Sequence, residues 1–478
     1  MDPRPPSYEE LVTLVGELRE RVGVLERENA ELRRQLQELR DQRPPPGPPP
    51  FAKPSLPARR KRQKPGRPAG HPPALRPPPP EVHREVDVPL PTGEAAEGGE
   101  AGRCLCPCCR GALEDLKDHE RVVEDIVPAA VCVTRYRTRS GYCPHCRRRV
   151  ESRHEEQPPA ADLPHAQLGL NALAAAAALK HDAGLPYRKV AWVLKDLCGL
   201  TVSHGALPKQ VRRLGSWLGE SAGAIEQRLR AGAYVNADET GWRVGGVNHW
   251  LWALTNPDCT LYRVERHRNS DVVRAVLGER YAGHVVSDFL PTYNKLPYKS
   301  QKCVPHLLRD LERTCQRSPP FAATSFCKKL KRAAKDLLRL KGRWDEYGDD
   351  AYCMRASRLA DRLDALAGAE SGAESDDPDV RRLAGRLKRH AGGLAEFLLV
   401  KDLPGDNNAA ERAIRPGVII RKISGGHRGG STATAAAVVM SVLRTARQQG
   451  KNLIATVKHL VQRHLAGQPC DLFAQPAQ

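Results

Sequence analysis

"KDLPGDNNAAERAIRPGVIIRK", residues 401–422, sets one carboxylate, Glu411, among Arg412, Arg415, Arg421 and Lys422. Asp406 or Asn407 can cap a helix that begins there, which puts Glu411 near its first turn. Asn408, Glu411 and Arg415 then share a face by their three- and four-residue spacing. Two readings follow. Glu411 pairs with Arg415 on a solvated helix face, worth a few tenths of a kcal/mol. Otherwise it is a metal-binding carboxylate beside a nucleic-acid phosphate, held by Arg412, Arg415 and Lys422.

The preceding chain favours the second. From residue 233 three strand-like runs follow one another, "AYVNADETGWRV", "VNHWLWALTN" and "CTLYRVERHR". A helix-like stretch, "SDVVRAVLGERY", leads to a buried strand, "GHVVSDF". Three meandering strands and a crossover to a fourth are the order of a ribonuclease-H-like α/β domain, in which the first and fourth strands are neighbours. That adjacency would bring Asp238 and Asp288 together, with Glu411 as third acid. Three hard oxygen donors suit two Mg²⁺ or Mn²⁺ ions for in-line phosphoryl transfer. Taken singly, Asp238 could cap a turn and Asp288 could be a loop acid. Glu239 is a rival to Asp238, but alternation along a strand turns it to the opposite face.

The rest of the 478-residue chain is organised around polyanion binding. Lys and Arg number 76 against 56 Asp and Glu, a formal charge of +20, which favours nucleic acid as partner. Nothing approaches the apolar length of a membrane span, and "MDPRPPSYEELVTLV" lacks the pattern of a signal peptide, so a cytoplasmic location is expected. Residues 1–43 read as a leucine-zipper coiled coil, with Leu11, Leu18, Leu25, Leu32 and Leu39 at heptad spacing and Asn29 on the other seam. A homodimer or larger assembly is expected from it.

Residues 44–95 form a proline-rich linker, with 18 of the 40 prolines between 44 and 91. Its basic arm carries Arg59, Arg60, Lys61, Arg62, Lys64 and Arg67, which can follow a DNA backbone or enter a narrow minor groove. Residues 96–158 hold Cys106–Cys109 and Cys143–Cys146, two CxxC knuckles suited to a structural Zn²⁺, with Cys104 and Cys108 as competing ligands. Residues 159–232 are helical. "YRKVAWVLKDL", a turn and "HGALPKQVRRL" resemble a helix-turn-helix, with Ser203 as a cap. The sheet region spans 233–299, a helical insertion 300–400, and the Glu411 segment 401–478. The whole is an α/β multidomain chain.

Four motifs carry a resemblance: "DETGWRV" (238–244), "SDFLPTYN" (287–294), "CVPHLLRDL" (303–311) and "DNNAAERAIRP" (406–416). With the domain order, they are similar to transposases of the IS66 insertion-sequence family. The resemblance implies that Asp238, Asp288 and Glu411 carry the DDE roles, in a catalytic domain interrupted by a helical insertion. It implies terminal inverted repeats and target DNA as partners, and element-encoded accessory proteins. The aromatic-containing segment that commonly follows the Glu in this family reads "KISGGHRGGS" (422–431) here. Cys303 and His306 form a CxxH for which a structural role is expected, with a place for His306 near the catalytic pocket as the alternative. Two other functions use the same features: a non-catalytic zinc- and DNA-binding regulator or transposase remnant, and a metal-dependent nuclease that cuts without joining.

Overall fold

The computed structural model describes residues 8–41, 81–83, 85–86, 130–137, 139–152, 168–369 and 377–473. The basic arm with Arg59 to Arg67, and Cys104, Cys106, Cys108 and Cys109, lie outside them. The chain divides into two units, 1–125 and 126–478.

In the first unit, helix α1 (Tyr8–Asp41) is 34 residues long, about 50 Å at 1.5 Å per residue. Val15, Leu18, Val22, Leu25 and Leu32, all heptad positions, are exposed along it.

The second unit begins with an antiparallel hairpin, β1 (Ser140–Cys143) and β2 (Arg148–Glu151). Cys143 and Cys146 stand at its turn. Residues 130–137, upstream of it, form no strand. Helices α2 (Leu170–His181), α3 (Tyr187–Cys198), α4 (Leu207–Trp217) and α5 (Gly219–Arg230) follow. Gly199, left-handed at φ 71°, stops α3. Ser203 serves the turn before α4 rather than the helix itself, its Oγ accepting from Ala206 N at 3.2 Å.

Strands β3 (Tyr234–Val244), β4 (Val247–Thr255) and β5 (Thr260–Glu265) form an antiparallel meander. Gly245 and Gly246, at φ 58° and 81°, supply the tight first turn. Helix α6 (Ser270–Leu277) crosses to β6 (His284–Ser287), which runs parallel to β3, and β7 (Lys299–Lys302) runs parallel to β6. The order is β5-β4-β3-β6-β7, so the first strand of the sheet lies beside the fourth, as expected. Strand β7 occupies the start of the region read as helical from residue 300. Its "KSQK" has no apolar alternation to announce it, yet Gln301 and Lys302 are buried.

Then come α7 (Val304–Arg317), α8 (Pro319–Ala323), α9 (Ser325–Lys341), α10 (Asp349–Ala369) and α11 (Pro378–Ala395). They share their own core around Phe321, Phe326, Leu330, Leu363 and Leu387. The chain returns through α12 (Asn408–Ser424), α13 (Gly430–Gln448) and α14 (Leu453–Leu465). One face of the sheet, with Val235, Ala237, Trp252 and Leu254, packs in a core with α2, α4, α5, α6, α13 and α14. On the other face, Trp242, Leu251, Ala253 and Tyr262 pack on Ala413, Ile414 and Ile420 of α12 and on Ala433, Ala437 and Met440 of α13. Among the described residues no helix is long and apolar enough to cross a membrane.

Candidate functional site

Strand β3 outruns its parallel neighbour. It pairs with β6 only over Tyr234–Asn236, while its pairing with β4 continues to Val244. Asp238 therefore lies inside β3 but just past the end of the β3–β6 ladder, rather than at a strand terminus. Asp288 directly follows β6, where its Oδ1 accepts from Leu290 N at 2.9 Å and turns the chain. The two aspartates flank the point where the sheet opens.

The start of α12 fills that opening. Asn236 Nδ2 donates to Asn407 Oδ1 at 3.0 Å, and Asn407 Nδ2 donates to Ala237 O at 2.9 Å. Asn407 thus spends its side chain on β3 and does not cap the helix. Asp406 does the capping, its Oδ1 accepting from Asn408 N at 2.9 Å. A second tether comes from α7: Val304 N donates to Gly405 O at 3.0 Å, and Cys303 Sγ accepts from Asn407 N at 3.3 Å. Glu411 falls in the first turn of α12, as the sequence indicates.

The three acids feel one another. The Asp238 carboxyl is pushed up to about 7, first by burial and then by Glu239, with Asp288 and Glu411 adding to the rise. The Glu239 N–H, donating to Asp238 Oδ1 at 2.9 Å, opposes it. Among the described residues neither Asp238 nor Asp288 forms an ion pair. Glu411 does, but not with Arg415: its Oε1 lies 3.1 Å from Arg309 Nη2 and 3.6 Å from His306 Nε2. Arg412, Arg415 and Lys422 are exposed on α12, whereas Arg421 turns inward and donates to Gly241 O at 2.8 Å.

Glu239 points the other way, as alternation requires. Its buried carboxylate accepts from Arg268 at 2.7 and 3.0 Å and from the Tyr293 hydroxyl. Behind Asp288, the buried Lys302 ammonium donates to Ser287 Oγ at 3.1 Å. Burial brings Lys302 down to about 8, while Asp288 opposes the shift.

Arg309 is absent from the site residues read from the sequence, and for the CxxH a structural role is preferred over a place for His306 near the acids. Cys303 keeps the structural role, buried under the α7–α12 junction. His306, one turn into α7, instead reaches Glu411. Burial first, then Arg309, holds its imidazole below the ordinary histidine range. Cys303, His306 and Glu411 offer donor atoms within 4.8 Å of one another. The signal for both residues was the H-x-x-R spacing, which stacks them on one helix face.

A sequence model of the transposase IS66 family matches residues 165–435, more than half of the chain. The chain belongs to the IS66 transposase family. The match runs from before α2 into α13 and so includes Asp238, Asp288 and Glu411. This IS66 family chain is also similar to an uncharacterized protein, y4qI, of Sinorhizobium fredii, at 28% identity over 336 residues. That alignment covers 62% of this chain and 60% of the relative, less than two thirds of either.

At the hairpin, the Cys143 thiol is held below its ordinary value, first by the Cys146 backbone N–H and then by the Cys146 side chain and the His145 N–H. Arg147, at φ 55°, closes the turn. N–H groups aimed at a sulfur favour its thiolate, the form that binds zinc.

Proposed function

We propose that this IS66 family protein is a DDE transposase that binds the terminal inverted repeats of its element, cleaves DNA there and joins the freed ends to a target. The observation that carries the reading is the convergence of Asp238, Asp288 and Glu411 where β6 ends and β3 continues. The strand order and this opening support a ribonuclease-H-like core interrupted by α7–α11. The donor set fits a hard divalent cation: three carboxylates, two of them without an ion-pair partner among the described residues, and one pushed up first by burial and then by neighbouring acids. Mg²⁺ or Mn²⁺ bound to Asp238, Asp288 and Glu411 would supply Lewis-acid activation of water or a 3′-hydroxyl and stabilise the leaving oxygen.

The protein's own residues do the remaining work. Asp238, whose carboxyl is pushed up to about 7 first by burial, would serve as a ligand in its ionised form. Asn407 fixes α12 against β3, so that Glu411 faces the two aspartates. Arg412, Arg415 and Lys422 meet the phosphate backbone from the exposed face of α12. The basic arm, Arg59, Arg60, Lys61, Arg62, Lys64 and Arg67, adds sequence-tolerant contacts along the linker. Cys143 and Cys146 would supply two thiolates to a structural Zn²⁺. The exposed heptad residues of α1 pair with a second copy of the chain, a use that fits their apolar side chains.

The test is cleavage and strand transfer on duplexes carrying the gene's flanking ends, in Mg²⁺, comparing wild type with Glu411→Gln. Wild type should cut and join, and the variant should bind the ends without cutting. Equal behaviour of the two, with binding and no cutting, would favour the DNA-binding regulator. Cutting without joining would favour the nuclease.

A further inference from the structure

Glu411 differs from its two partners in already holding a cation. Arg309 Nη2 donates to its Oε1 at 3.1 Å, and Arg309 Nη1 lies 3.4 Å from His306 Nε2. That guanidinium therefore sits on the oxygen that a divalent cation needs. The pair is only half-buried, with the Arg309 side chain 46% exposed and that of Glu411 33%. An ion pair of this kind is weak and open to exchange. Among the described residues Arg309 has no other acidic partner to hold it. The next residue, Asp310, is taken by Arg382, at 2.9 Å, and by Arg386. Arg309 is thus free to swing outward on α7, and the ligand it would meet there is the DNA drawn to the site. A planar guanidinium matches a phosphate as well as a carboxylate.

We propose that Arg309 is a resident counter-cation of Glu411 that competes with the metal and, once displaced, takes a phosphate of the DNA beside the acids. The inference rests on the transposase reading above. Competition makes Arg309 a positioning residue with opposite effects on two ligands. Its removal helps the metal and hurts the DNA. A residue that merely stabilised the helix junction would weaken both.

The experiment is a Mn²⁺ titration of the full chain without DNA, reading free Mn²⁺ by electron paramagnetic resonance. Manganese prefers oxygen donors, so the cysteine hairpin does not compete for it. Arg309→Gln should bind Mn²⁺ about fivefold more tightly than wild type, the worth of an exposed ion pair. Arg309→Lys, which keeps the charge, should fall between the two. In a Glu411→Gln background the Arg309 substitution should change nothing. A second measurement takes the salt dependence of binding to a flanking-end duplex with and without Mn²⁺. The metal should steepen the slope by about one phosphate contact in wild type and leave it unchanged in Arg309→Gln. Mn²⁺ binding that is equal or weaker in Arg309→Gln would overturn the proposal, as would the same steepening in both proteins. Absence of Mn²⁺ binding in wild type would overturn the three-acid site itself, and this proposal with it.

Discussion

Asp238 and Glu239 are neighbours on one strand, and the protein treats them in opposite ways. Glu239 is sealed inside, with two hydrogen bonds from Arg268 and one from Tyr293. Its charge is matched by the Arg268 guanidinium. Asp238, on the other face, receives one backbone N–H and no cation among the described residues. Its carboxyl is pushed up by burial and by three further acids. A fold that surrounds one carboxylate with an arginine and a tyrosine and leaves the next without a counter-charge among the described residues makes the two faces of this strand electrostatically unlike. Burying an unmatched carboxylate is costly, and a bound cation offsets that cost.

Four measurements break or sharpen this contrast. The largest effect is expected from Asp238→Asn in the cleavage assay, a rate loss of about a thousandfold or more with DNA binding kept, because a ligand carboxylate is lost. Full activity would remove Asp238 from the site. Next is Glu239→Ala. It strands Arg268 and Tyr293, and breaking a buried pair costs roughly 3–5 kcal/mol, read as a lower denaturant midpoint. Little change there would mean that the inner face is not a scaffold. Third, Asn407→Ala leaves Ala237 O without this donor and the Asn236 amide with Asp406 O, at 3.3 Å, in place of two acceptors, at about 1–3 kcal/mol, and loosens α12, so weaker metal binding should accompany the lower stability.

The smallest effect concerns pH. An acid whose folded value, about 7, lies above its ordinary 3.8 contributes stability at low pH that is lost as pH rises through 7. Metal-free wild type should therefore lose roughly 2 °C in Tm relative to Asp238→Asn between pH 6 and pH 8. Mn²⁺ should restore it. Parallel curves for the two proteins would show that Asp238 does not titrate in this range.

Much of this was legible in the sequence because it was written in local patterns. The strand-like run "AYVNADETGWRV" and the short buried run in "GHVVSDF" set the strands, and their order set the adjacency of β3 and β6. The opposite facing of Asp238 and Glu239 followed from a two-residue period. What was missed depends on tertiary packing. Strand β7 is polar, and its Gln301 and Lys302 are buried only because α11 and the start of the 396–398 turn cover them; Gln301 Oε1 accepts from Phe397 N at 2.8 Å. Asn407 is a residue type that caps helices, but the edge of β3 left open where its pairing with β6 ends competes for its side chain and wins. Arg309 reaches Glu411 across 102 residues of sequence, a contact that no periodicity can announce. The helix-turn-helix resemblance of α3 and α4 was legible as helices and a turn, and Leu207, Val190 and Leu194 give that pair its own small core.

The central claim is that the open face of β3 holds a divalent cation and the closed face does not. The most direct measurement is a Mn²⁺ titration of the full chain, comparing wild type, Asp238→Asn and Glu239→Gln, the last of which keeps its shape and most of its hydrogen bonds. Tight binding in wild type and in Glu239→Gln, lost in Asp238→Asn, is the predicted result. Binding that survives Asp238→Asn, or that fails in a folded Glu239→Gln, would contradict the account.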